Sequence, residues 1–176
     1  MERTGLIHIY CGNGKGKTTC GMGLCSRAAG YGYKVLIYQF MKDNSTSERN
    51  TLLLSENIFW LEGLSLEKFS FQMNNNEKEA HKSFYHQQFD KIVSMVKDNK
   101  YSVLFLDEII YAINAGLFDE EKLLNFIRNK PSSLEVIMTG QFPSEKLISI
   151  SDYVSEINKV KHPFECGISA REGIEH

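Results

Sequence analysis

Cys11-Gly-Asn-Gly-Lys-Gly-Lys-Thr-Thr19 is the segment with the clearest capacity for chemistry. Gly16-Lys17-Thr18 matches the G-K-[ST] end of a Walker A loop, in which backbone N–H groups cradle phosphate oxygens. A helix starting at this point adds about half a positive charge at its N-terminus. Lys17 brings a full cation, and the Thr18 hydroxyl is placed to bind Mg²⁺. Gly12, Asn13, Gly14, Lys15, Gly16, Lys17, Thr18 and Thr19 are therefore the candidate nucleotide-binding residues. The loop departs from the standard pattern in two ways: Cys11 stands where the first glycine is expected, and Lys15 adds a second cation.

A second acidic feature follows Val103-Leu-Phe-Leu106, a short apolar run that reads as a strand buried on both faces. Asp107-Glu108 at its end resembles a Walker B pair, able to reach a loop-bound Mg²⁺ directly or through water. The sequence leaves open which of the two touches the metal. No Asn-Lys-x-Asp motif for guanine selection is present, and the arginines are few and dispersed, unlike a kinase lid.

These groups need a scaffold, and the chain supplies alternating elements. Leu6–Tyr10 reads as a strand before the loop, and 18–29 as a helix closed by Gly30-Tyr-Gly32. Lys34–Phe40 and Ile58–Leu61 are strand candidates, with a short helix after Asn44–Ser47. Residues 77–97 carry Phe84, Phe89, Ile92, Val93 and Val96 at helical spacing. Residues 117–129 read as one amphipathic helix, Leu134–Met138 as a strand, 143–150 as a short helix and Tyr153–Ile157 as the last strand. The alternation predicts an α/β, P-loop NTPase-like fold. Its mainly parallel sheet should have about five to six strands, with helices on both faces.

The 176 residues suit one domain, 1–176, with about the last twelve as a tail. A net charge of −2, from 20 basic and 22 acidic residues, gives no footprint for nucleic acid or an anionic membrane. No apolar run approaches the roughly 18 residues of a membrane span, and a signal-peptide core is lacking, so a cytoplasmic location is expected. Cys11, Cys20, Cys25 and Cys166 match no C-x-x-C pair and read as free thiols.

Several separate segments together resemble the P-loop type of corrinoid (cob(I)alamin) adenosyltransferase. They are the loop without its first Walker glycine, Gln39-Phe-Met-Lys42 with Glu48-Arg-Asn50, Leu106–Ile109 with Tyr111, and Val136–Gly140. The tail Val160-Lys-His-Pro-Phe164, with Gly167-Ile and Gly173-Ile174, is similar as well. The resemblance implies transfer of the 5′-deoxyadenosyl group of ATP to Co(I) of cobalamin or a cobinamide-type precursor, leaving triphosphate. It further implies a reduced flavoprotein as electron donor and a homodimer. Phe69 and Phe71 match the aromatic stretch that helps remove the corrinoid's lower ligand, with Phe71 where the family often has tryptophan. Gln141 replaces an arginine common in the family, and few residues precede Leu6 where longer members have a covering helix. His162 reads as structural, and Trp60 as a core aromatic. Two other readings stand beside this one. A P-loop ATPase or small-molecule kinase would use Glu108 to orient water, and a delivery module would bind both ligands without turnover.

Overall fold

The computed structural model describes residues 4–64, 72–98 and 100–175. Its centre is a six-stranded sheet of β1 (Ile7–Cys11), β2 (Val35–Gln39), β3 (Ile58–Leu61), β4 (Val103–Asp107), β5 (Glu135–Thr139) and β6 (Tyr153–Glu156). The spatial order is β3-β2-β4-β5-β1-β6, and every pairing is parallel. One strand, β5, therefore separates the phosphate-loop strand β1 from the acidic strand β4. Parallel strands need helical crossovers, which cover both faces and make the central strands uniformly apolar. β2 and β4 are buried at all five positions.

One face is covered by α1 (Lys17–Tyr31), whose Met22, Cys25, Ala28 and Ala29 pack on Val35, Ile37, Val103, Phe105 and Ile137. Contact between α1 and β4 is close because residue 21 is glycine. A Cβ there would lie 2.4 Å from the Phe105 ring. The other face carries the larger core, built from α3 (Asn75–Lys97), α4 (Ile109–Asn114), α5 (Glu120–Asn129) and Leu147 of α6 (Glu145–Ser149). Phe89 of α3 sits between Phe118 and Phe126, with ring centroids 4.9 and 5.4 Å away. A short α2 (Glu48–Leu52) precedes β3.

The predicted strands all form, displaced by a residue at some ends. Two helical readings are corrected. Residues 117–129 are not one helix: Gly116 turns the chain after α4, and Leu117 and Phe118 plug the core before α5 starts at Glu120. The acidic first turn of α5, Glu120 and Glu121, favours a start there through the helix dipole. On α3 the buried face is Tyr85, Phe89, Ile92 and Val96, while Phe84 and Val93 are only partly covered. Its start moves to Asn75 because Asn74 and Glu77 form a reciprocal capping box. Cys20 and Cys25 fall on different helix faces as the spacing requires, one exposed and one buried, and all four cysteines are free.

Candidate functional site

The phosphate loop lies between β1 and α1. Cys11 is the last residue of β1, and its thiol is buried in the core, which pushes its pKa up. The turn that a Walker glycine would make passes to Gly12, with φ +100° and the Ile157 carbonyl only 2.4 Å from where a Cβ would sit. The segment after β6 braces the loop from outside. Gly14 N–H donates to the Ile157 carbonyl at 2.8 Å, and Asn13 Oδ1 accepts from Lys159 N–H at 2.8 Å. Gly16 is the N-cap of α1 and has no side chain to satisfy the helix's first N–H groups. Those donors face the cavity, the arrangement that binds anions at helix N-termini. Lys17 Nζ rests on the Gly14 carbonyl at 2.9 Å.

Asp107 is the hub. It is fully buried, and Thr18 and Thr139 donate their hydroxyls to its Oδ1 at 2.9 and 2.6 Å. Gln39 and Lys42 donate to Oδ2 at 2.9 and 2.7 Å. Parallel register brings Gln39 beside Asp107 at the ends of β2 and β4, and Thr46 fixes the amide by donating to Gln39 Oε1 at 3.0 Å. Thr139 also accepts the Glu108 N–H at 2.8 Å. Sequence reasoning gave no role to Gln39, Lys42 or Thr139. The available signals were their places in the two family-like segments Gln39–Lys42 and Val136–Gly140 and, for Gln39 and Thr139, the carboxyl ends of β2 and β5, where parallel α/β sheets bind ligands.

Glu108 takes a different place from its neighbour. Its backbone is left-handed, with φ +58°, and its side chain lines the cavity. Burial, then the Asp107 charge, push its pKa up, against the pull of Lys42 and Lys17. Among the described residues, three non-glycine residues have positive φ: Met41, Glu108 and Phe142. All three follow strand ends on the same edge of the sheet, and left-handed backbone of this kind collects at ligand sites.

The cavity encloses about 960 Å³. Residues 14–19 line it together with residues 41–43, 45–48 and Thr51, and Gln72, Glu108 and Gly173–Glu175 complete it. The C-terminal turn thus folds back onto the loop. Glu175 accepts from Lys15 at 2.9 Å and from Arg171 at 3.0 Å, contacts that hold its carboxyl well below the usual range, Arg171 contributing most.

The chain's loop residues and Asp107-Glu108 thus converge at one edge of the sheet. Phe69 and Phe71 lie outside the described residues. Arg49 pairs with Glu62 at 3.2 Å and stands 5.7 Å over the Trp60 ring. Trp60 is only partly buried, on the α1 side of the sheet. His162 Nδ1 accepts the Phe164 N–H at 3.2 Å and caps a 3-10 turn over Pro163–Cys166, a structural role. At Gln141 the backbone carbonyl accepts from Asn114 at 2.7 Å.

A model of the ATP:corrinoid adenosyltransferase BtuR/CobO/CobP family matches residues 3–176. The chain belongs to this family. A corrinoid adenosyltransferase from a Sinorhizobium species is 30% identical over 181 residues, covering 99% of this chain and 81% of the relative. The corrinoid adenosyltransferase CobA of Salmonella typhimurium is 29% identical over 176 residues, covering all of this chain and 88% of its own. This adenosyltransferase also shares its fold with a KaiC-like protein from Pyrococcus horikoshii. That match has TM-score 0.55 and 17% identity, over 88% of this chain and 73% of the other. No described helix is long and apolar enough to cross a membrane.

Proposed function

We propose that this adenosyltransferase holds ATP in the cavity above residues 12–19 and transfers its 5′-deoxyadenosyl group to Co(I) of a bound corrinoid. Cobalt supplies the electron pair for the new Co–C bond. The C5′–O bond breaks, and its electrons leave on the triphosphate oxygen. The observation that carries this reading is the concentration of anion-binding groups at one wall: Lys15, Lys17 and the open N-terminus of α1. They match the charge that grows on a triphosphate leaving group, where fixed donors act most strongly on the transition state. No protein nucleophile or base is needed; positioning and charge carry the rate.

The residues also fit Mg²⁺, which favours oxygen donors and keeps waters and substrate phosphates in its shell. Among the described residues no group of three His, Cys, Asp or Glu could hold a metal, which leaves most of the shell to hydroxyl, water and phosphate oxygens. Thr18, Asp107 and Glu108 would hold the ion. It would neutralise triphosphate charge.

Phe69 and Phe71 are assigned to the corrinoid side, where aromatic contact favours loss of the lower axial ligand and eases reduction of Co(II). The substrate would be cobalamin or a cobinamide-type corrinoid, with a reduced flavoprotein as electron donor. The enzyme would act in the cytoplasm as a homodimer of single P-loop domains.

Incubation with MgATP and chemically reduced cobalamin tests the reading. A light-sensitive Co–C product and triphosphate are expected, and ADP with phosphate would overturn it. In that assay Lys17→Ala should lower the rate by at least about 100-fold. Phe69→Ala and Phe71→Ala should slow the reaction from Co(II) more than the one supplied with Co(I); equal slowing removes their assigned role.

A further inference from the structure

Asp107 is a saturated acceptor. A carboxylate offers about four lone-pair directions on its two oxygens, and four donors fill them here. Three of those donors are anchored. Gln39 and Thr139 end strands and are 4% and 0% exposed, and Thr18 sits in the first turn of α1. The fourth, Lys42, belongs to the loop after β2, and its side chain is 26% exposed. Its Nζ is 2.7 Å from Asp107 Oδ2 and 3.2 Å from Thr18 Oγ1. A single ammonium therefore sits against two of the side chains assigned to Mg²⁺ above. Any cation approaching both meets Lys42 first.

We infer that Lys42 is a resident counter-ion of the nucleotide-free enzyme: it holds the metal position, yields it to the divalent cation and passes to the triphosphate. The inference rests on the assignment of Thr18 and Asp107 to the metal. Its physical basis is the cost of an unpaired buried carboxylate, which requires a positive charge nearby in every state. Lys42 provides it without ligand, and a metal ion makes the ammonium surplus. Lys42 lines the same cavity as Lys15 and Lys17, so rotation of its flexible side chain carries the charge to the phosphates.

This arrangement makes metal and triphosphate assist each other. Metal alone has to displace the ammonium, whereas triphosphate gives the ammonium a new partner. Coupling of this kind is reciprocal and commonly amounts to about 5–150-fold.

The test is Mn²⁺ binding to the nucleotide-free protein, followed by electron paramagnetic resonance with and without tripolyphosphate. Lys42→Met should bind Mn²⁺ alone more tightly, by about tenfold, and should lose most of the tightening that tripolyphosphate causes. Lys42→Gln keeps an N–H donor for Asp107, so it gives the same readout if the methionine variant does not fold. Mn²⁺ binding alone that is unchanged or weaker in the folded variants would overturn the inference, and a purely structural lysine would give that result. Asp107→Asn separates the two levels. Wild-type Mn²⁺ affinity in that variant overturns the metal assignment itself, and lost affinity leaves the Lys42 result to be read alone.

Discussion

Two lysine–carboxylate pairs stand on the same cavity and differ in nearly everything else. Lys42 meets Asp107, which is 0% exposed and fixed by three further donors from two strands and a helix. Lys15 meets Glu175 across the surface, with side chains 48% and 18% exposed, in a turn whose other partner is Arg171. The first pair belongs to the sheet's own hydrogen-bond system. The second is a clasp between a loop and the chain terminus. In a poorly solvated site a charge without a partner is costly, whereas exposed pairs contribute little and are screened by salt. The hub is thus built to persist until another cation replaces Lys42, and the clasp to open for any competing anion.

The largest effect should come from breaking the hub. Asp107→Asn leaves Lys42 without its counter-charge and forces an amide among donors. Loss of about 3 kcal/mol of unfolding free energy in denaturant titration is expected, because one partner of a largely buried pair is removed. A loss no larger than that of an exposed pair would erase the contrast.

Glu108 sharpens the comparison through pH. Its folded pKa is raised, chiefly by burial, so the native state binds the proton more strongly than the unfolded chain. Wild-type stability should therefore fall as pH rises from the ordinary carboxylate range through the raised value. Glu108→Gln removes that dependence. Thermal melts should find it more stable than wild type at neutral pH, with the gap closing as the medium is acidified. An unchanged gap would contradict the sign.

The smallest effect is expected at the clasp. Glu175→Gln should leave the melting temperature unchanged while tightening tripolyphosphate binding a few-fold at low salt, an effect that added salt removes. A large loss of stability would make the clasp a second hub.

Much of this architecture was legible because it is written locally. The loop, with its glycines and lysines, needs only a strand before it and a helix after it. The runs Lys34–Phe40 and Val103–Leu106 announce strands, the second of them covered on both faces, and both form. Where local signals competed, the reading slipped. Leu117 and Phe118 continue the apolar period of α5, yet they form a bend before it because the core beside Phe89 accepts them there. Asn74 and Glu77 had the spacing of a capping box that could have set the start of α3.

By itself, then, the sequence determined where the candidate phosphate loop would lie, between a strand and a helix, and which segments would become strands, since backbone propensity and side-chain period act over a few residues. Only the tertiary structure decided what the acidic pair would do. Asp107 gathers Gln39 from 68 residues away, Lys42 from 65 and Thr139 from 32, and Lys15 meets Glu175 across 160. The contacts around Asp107 follow from strand order and parallel register, which place unrelated strand ends side by side, and the Lys15 contact follows from the C-terminal turn folding onto the loop. Burial then separated the neighbours Asp107 and Glu108, leaving one a saturated anchor and the other a wall of the cavity.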